Sequence, residues 1–269
     1  MNITFIGGGN MAAALIGGLI GKGHAASGIR VVELQAEARA RLAAQFGVAC
    51  MERAVAPLGE AVVLAVKPQQ LRTAAAALRP LLSHELVITI AAGIRLVDLS
   101  RWLGGYATLV RCMPNTPALI GAGMSGLYAS AAVGAGQRAL ADSMLGAVGA
   151  TLWVPEEGML DPVTAISGSG PAYVFYFVEA MQKAAQEMGF SAADARKLAV
   201  ETFAGAARLA AQSTEDVARL RQCVTSKGGT TERALASMDA DGVMNLIVQA
   251  LHAANQRAHE LGEQLGADA

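Results

Sequence analysis

At 269 residues, 53% of them hydrophobic and 16% charged, the chain has ample material for a buried core and is too apolar to be a disordered polymer. Its formal net charge of -1 excludes a general electrostatic attraction to nucleic acid or an anionic membrane, so any anionic ligand must be held by local groups. Three widely spaced cysteines, Cys50, Cys112 and Cys223, form neither a metal-ligand spacing nor a disulfide framework, and no apolar run approaches the roughly 18 residues of a membrane helix. These features predict a soluble, unprocessed cytoplasmic protein that binds neither nucleic acid nor membrane.

The first strand, predicted over 2–6 (NITFI), runs directly into Gly7-Gly8-Gly9-Asn10-Met11-Ala12. This fits G-x-G-x-x-G/A, and its place between a strand and a helix predicted over 11–20 gives the pattern meaning. Gly7 permits the tight turn, Gly9 lets backbone approach a pyrophosphate, and Ala12 lets the helix pack close. The helix start at Asn10 and Met11 then faces the anion. A second strand over 28–33 (GIRVVE) ends in Glu33, whose carboxylate suits the hydroxyls of an adenosine ribose and repels a 2′-phosphate. On that argument NADH is bound at least as well as NADPH. Arg30, Arg39 and Arg41 lie near enough in sequence to restore phosphate binding.

Further strands are predicted over 61–66, 86–91, 108–113 and 151–154, alternating with Ala-rich helices such as 71–82. Ala65-Val66-Lys67-Pro68 closes the first of these, where such sheets bind their ligands. Lys67 can reach a phosphate or a ribose hydroxyl, or remain a surface lysine. Pro68 suits the first turn of the next helix. Ala92 and Gly93 follow the next strand and are small enough for a nicotinamide ring to lie against backbone. Asn115, in a loop fixed by Pro114 and Pro117, adds a polar contact. The alternation predicts a doubly wound parallel sheet, an α/β Rossmann-type dinucleotide-binding domain over 1–156.

From residue 157 the β signals stop. Pro171 opens a long helix with Val174, Val178, Met181, Ala185 and Met188 at alternating steps of four and three, a coiled-coil-like seam. Tyr173, Tyr176 and Phe177 lie off that seam, so the helix is apolar on more than one side and calls for a subunit partner. Helices are also predicted over 191–212, where Ser191 and Asp194 resemble a capping box, and over 242–265. An all-α dimerisation domain over 157–269 follows. His24, His84, His252 and His259 have neither catalytic nor metal-ligand spacing, and no metal site is expected.

The motifs FIGGGNMA (5–12), AVKPQ (65–69), AAG (91–93), MPNTP (113–117), GSGPAYVF (168–175) and TSKGGTT (225–231) occur in one order across nearly the whole chain. Together the set resembles pyrroline-5-carboxylate reductase, the enzyme of the last step of proline synthesis. The resemblance implies interlocked homodimers, in some members assembled into decamers of five dimers. It implies an active site between the nucleotide domain of one subunit and the helical domain of its partner. The reaction implied is hydride transfer from NADH or NADPH to the imine carbon of Δ1-pyrroline-5-carboxylate. It further places Ser226 and the amides of Thr230 and Thr231 on the substrate carboxylate, with Gly228 and Gly229 freeing the backbone to curl. Thr231 then lies close to the ring nitrogen, making Thr231 and Ser226 the catalytic candidates. Many members carry an Asn-Arg-like pair where this chain has Glu33-Leu34, which leaves the choice between NADH and NADPH open. The rival readings are a related imine or β-hydroxyacid reductase and a non-catalytic nucleotide sensor. The absence of a lysine from 168–175 counts against the hydroxyacid enzyme, and TSKGGTT is superfluous in a sensor.

Overall fold

The computed structural model describes residues 1–267 and divides into two compact units. One comprises Met1–Ser169 with the segment from Ala254 onward; the other is Gly170–Ala253.

The first unit is built on a sheet. Strands β1 (Ile3–Ile6), β2 (Ile29–Val32), β3 (Ala49–Met51), β4 (Ala61–Leu64), β5 (Leu86–Thr89) and β6 (Leu109–Met113) run parallel in the order β3-β2-β1-β4-β5-β6. Helices α1 (Asn10–Gly21), α2 (Ala36–Phe46), α3 (Pro68–Leu78) and α4 (Leu96–Trp102) connect them. Because helices cover both faces, β1, β4 and β5 are buried along their whole length. Alternate side chains serve two separate cores. Phe5, Val63 and Ile88 pack with Leu15 and Ile16 of α1, whereas Val62, Leu64 and Val87 pack with Leu71 and Leu78 of α3.

The sheet is larger and less uniform than the sequence predicts. Strand β7 (Gly123–Ala129) runs antiparallel to β6, and β8 (Gly149–Trp153) lies parallel to β7 after a helix, α5 (Ala135–Gly146). The edge strand β3 has only 3 residues. In β7 the sequence GMSGLYA lacks strand propensity, yet Gly126 is dictated by packing. A Cβ there would lie 2.6 Å from Val163 Cγ1, on the short helix α6 (Leu160–Val163).

The second unit contains α7 (Gly170–Glu187), α8 (Ala192–Gln212), α9 (Val217–Cys223), α10 (Thr230–Ala240) and the first part of α11 (Val243–Gly266). Pro171 stands in the first turn of α7, where its missing N–H breaks no helical bond. Ser191 caps α8 by accepting from Asp194 N at 3.1 Å, and its hydroxyl donates to Asp194 Oδ2 at 2.6 Å. Among the described residues of 170–253, the fully buried hydrophobic side chains are two alanines, Ala195 and Ala199.

The second part of α11 belongs to the first unit. A Cβ on Gly93 would lie 2.9 Å from Leu265 Cδ1, and Arg101 donates to Gly266 O at 2.8 Å. No helix among the described residues is long and apolar enough to cross a membrane.

Candidate functional site

The nucleotide-type residues gather at the C-terminal ends of β1, β2, β4 and β5, where the strand order reverses between β1 and β4. Gly7 has φ +101°, and a Cβ on it would stand 2.7 Å from Ala65 O. Its N–H donates to Val32 O at 2.8 Å, while Ala65 N–H donates to Ile6 O at 2.8 Å. The turn is thereby tied to both neighbouring strands. Gly9 precedes α1 in extended conformation, and no side chain of the described residues caps that helix. The N–H groups of Asn10, Met11 and Ala12 therefore lack intrahelical partners. A Cβ on Gly9 would meet nothing within 4 Å, so the space in front of these amides is open. That is the fit a pyrophosphate requires.

Glu33 stands just beyond β2 with its carboxylate fixed at both oxygens. Oε2 accepts from Gly8 N and Oε1 from Gln35 N, each at 2.9 Å. Arg39 folds over the same turn, one nitrogen donating to Glu33 O and Leu34 O at 2.7 Å each. Arg30 is instead hydrogen-bonded to Pro57 O, and Arg41 is solvent-exposed. Val66 follows Ala65 at the switch point, with its Cγ1 against Gly7. Lys67 is exposed and precedes α3, whose first residue is Pro68. Ala92 is exposed beyond β5, next to Gly93, which is buried at φ +76°.

Asn115 is turned inward. Its Nδ2 donates to Ser167 O at 3.0 Å and its Oδ1 accepts from Met124 N at 2.8 Å. The side chain therefore braces the loop after β6 against a π-helical turn at Thr164–Gly168. One amide hydrogen is left for a ligand.

An ion cluster supports the neighbouring loop, and sequence reasoning missed it. Buried Arg111 on β6 pairs with Glu157 Oε1 at 3.2 Å and Asp161 Oδ1 at 3.5 Å. Glu157 Oε1 also accepts from Leu96 N at 2.7 Å, three residues after Gly93. Asp161 Oδ2 lies 3.5 Å from His259 Nδ1, which lies 3.4 Å from Arg95. The available signal was an arginine inside the apolar run TLVRCM, since a buried guanidinium needs acidic partners.

Neither the Cys50 nor the Cys112 thiol is poised as a thiolate. Burial pushes Cys112 up to about 12, against a hydrogen bond with Ser125, and burial also raises Cys50. A cavity of about 340 Å³ opens at Gly17, Gly18, Phe46 and Leu119, but no charged side chain lines it.

In the second unit, the segment 224–229 connects α9 to α10. Ser226 is exposed, and a Cβ on Gly229 would stand 2.7 Å from its Oγ. Gly228 has φ +74°, and Gly229 N–H donates to Ser226 O at 3.0 Å. This turn delivers the Ser226 hydroxyl to the uncapped start of α10, where Thr230, Thr231 and Glu232 carry N–H groups without intrahelical partners. The Glu232 carboxylate reaches back to accept from Gly228 N at 2.6 Å.

Residues 157–261 match the family described as pyrroline-5-carboxylate reductase dimerisation, and residues 2–93 match that described as NADP oxidoreductase, coenzyme F420-dependent. The chain is 48% identical over 267 residues to a pyrroline-5-carboxylate reductase of Pseudomonas aeruginosa, covering 98% of each sequence. Among solved structures it resembles a pyrroline-5-carboxylate reductase from Coxiella burnetii at 41% identity and a TM-score of 0.92, covering 97% of this chain and 98% of that one. It also resembles a Plasmodium falciparum pyrroline carboxylate reductase with NADP bound, at 25% identity and a TM-score of 0.87, with the same coverage. With near-complete coverage at this identity, the chain belongs to the pyrroline-5-carboxylate reductase family.

Proposed function

We propose that the protein reduces Δ1-pyrroline-5-carboxylate to L-proline, the last step of proline synthesis, with NADH or NADPH as reductant. The observation that carries this reading is the turn before α10. A serine hydroxyl and the first amides of a helix meet there at an uncapped terminus, which is what a small carboxylate needs.

A bound nicotinamide coenzyme supplies the hydride that adds to the imine carbon. The residues suited to hold it are Gly7, Gly9, Asn10 and Met11 at the pyrophosphate, and Glu33 at the adenosine ribose. Ala65, Val66, Lys67, Pro68 and Ala92 suit the rest of the coenzyme, with Gly93, buried beneath Leu265, shaping the turn beside Ala92 and Asn115 bracing the loop after β6. Glu33 presents fixed carboxylate oxygens where a 2′-phosphate would go, so NADH is the preferred coenzyme. Its relative from Plasmodium falciparum has NADP bound, and the preference proposed here belongs to this chain.

The substrate reacts as its protonated iminium, because protonation makes the carbon electrophilic. Ser226 and the amides of Thr230 and Thr231, shaped by Gly228 and Gly229, hold the carboxylate. This fixes the ring at near-attack distance. The Thr231 hydroxyl is far too weak an acid to protonate the imine unaided, so its role is to orient the ring nitrogen by hydrogen bonding. Functionally, 1–156 serves the coenzyme and 157–269 serves dimerisation and the substrate. The assembly is a cytoplasmic homodimer through the helical half, a unit from which a decamer of five dimers can be built.

Oxidation of NADH and of NADPH, followed separately with pyrroline-5-carboxylate, tests the reading. Turnover with a higher kcat/KM for NADH is expected, and a strong NADPH preference removes the Glu33 argument. Thr231→Ala should lower kcat roughly 10- to 100-fold with little change in coenzyme affinity. Ser226→Ala should chiefly raise the KM for the imine acid.

A further inference from the structure

Glu232 holds its helix start in an offset way. A carboxylate at the third position of a helix ordinarily accepts from the N–H of the cap residue. Here the cap residue is Gly229, whose N–H is already given to Ser226 O at 3.0 Å. Glu232 Oε2 therefore reaches one residue further back, to Gly228 N at 2.6 Å. Two successive amides of the turn are thus occupied from within. The groups left without a partner at this helix start are the N–H groups of Thr230, Thr231 and Glu232, with the exposed Ser226 hydroxyl beside them.

We propose that Glu232 is a positioning residue for the substrate: its carboxylate clasps Gly228 so that the carboxylate-receiving groups stand preassembled. The inference deepens the reading of this turn as the substrate-carboxylate site and rests on it.

Gly228 is the residue in need of such a clasp. Its φ of +74° lies in the left-handed region, which glycine visits readily but does not favour over its alternatives. With Gly229 beside it, an unclasped turn samples many conformations, and binding must then order it. That cost falls on substrate binding and not on the hydride step, because the coenzyme and the ring nitrogen are untouched. A resident carboxylate close to an arriving one also repels it. The clasp therefore works through an acceptor oxygen and in spite of its charge. Since the Gly228–Glu232 bond is exposed, its loss costs the fold little.

The test is steady-state kinetics of the full chain with pyrroline-5-carboxylate and NADH, using Glu232→Gln, Glu232→Ala and Glu232→Asp. Glutamine keeps an acceptor at the same reach, and its imine KM should equal the wild-type value or fall below it. Alanine removes the acceptor and should raise that KM about ten-fold, with kcat and the NADH KM changed by less than about two-fold. Aspartate keeps the charge at the helix start but is one methylene short, so it should behave like alanine. If aspartate matches wild type while glutamine matches alanine, a helix-charge role replaces the clasp. A lower imine KM in Glu232→Ala would make the side chain a plug in the substrate's place, and an unchanged KM would leave it without a role; either overturns the proposal. Should the alanine variant fail to fold, the contrast between glutamine and aspartate decides alone. Ser226→Ala separates the two levels of inference. If it leaves the imine KM unchanged, the carboxylate site itself is misplaced. If it raises KM while the Glu232 series stays flat, only the clasp fails.

Discussion

Gly7 and Gly9 lie two residues apart in one motif and are glycine for opposite reasons. At Gly7 the protein itself forbids a side chain, through φ +101° and backbone atoms of Ala65 standing 2.7–2.9 Å from any Cβ. At Gly9 nothing in the protein forbids one, so its bareness serves what arrives from outside. Gly9→Ala should therefore melt within about 2 °C of wild type yet raise the coenzyme KM at least about ten-fold. Gly7→Ala should lower the melting temperature by well over that margin, because no relaxation removes both the strain and the clash. Thermal melts and coenzyme titration of the pair check this, and an unchanged coenzyme KM in Gly9→Ala counts against the pyrophosphate site. The pattern of glycines and their separate roles were legible in the sequence, but the contact of Gly7 with Ala65 was not, since it depends on where β4 runs. Asn115 shows the same limit. Its polarity suggested a ligand contact, while two of its hydrogen bonds turn out to join β7 to the π-helical turn.

Among the elements, β6 is unusual in burying a guanidinium inside the sheet, whereas Arg30 on β2 is only half-buried. Arg111 is buried to 4% exposure and depends on Glu157 and Asp161, both outside the strand. Removing one partner leaves a buried charge half-compensated, a class of change that costs about 3–5 kcal/mol when pairing is wholly lost. Asp161 remains in Glu157→Ala, so a destabilisation of about 2–3 kcal/mol is expected in urea unfolding. Glu157→Gln should cost less, since it still accepts from Leu96 N. Equal losses in both variants would mean that charge alone matters. Strands β1, β4 and β5 were legible because parallel strands covered on both faces are apolar without interruption. The edge strand β3 is too short to announce itself, and β7 is disguised by two glycines, Gly123 packed against Val148 and Ala118 and Gly126 against α6. Arg111 inside an apolar run signalled a need for acids, but which acids was illegible because they lie 46 and more residues away in sequence.

For the whole molecule, the decisive fact is the composition of what is buried. The first unit hides two extensive apolar cores, whereas among the described residues of the second only Ala195 and Ala199 are fully buried hydrophobics. On α7, Val174, Phe175, Tyr176 and Met181 remain 41–71% exposed in the single chain, and Met188, just beyond the helix, is 78% exposed. Apolar surface on that scale marks an interface. Sedimentation at micromolar concentration should show a dimer or larger, and Phe175→Asp should shift it toward monomer with loss of stability, since folding and association are then linked. A wild-type monomer at that concentration would contradict the assignment. The sequence indicated the partner through a helix apolar on more than one side. It placed the whole helix over 242–265 in the helical domain, because a helix that serves two units carries one uninterrupted pattern.

That shared helix sets an order of events during synthesis. The segment from Ala254 onward covers Gly93 and bonds Arg101, and His259 reaches Asp161, yet it is made after the whole of Gly170–Ala253. The sheet of the first unit can form while the chain is still growing. Its loop beyond β5, however, acquires its covering only when the helical unit has already left the ribosome. A nascent chain halted anywhere before Ala254 therefore carries that loop uncovered, and completion of the coenzyme half waits on translation of the other.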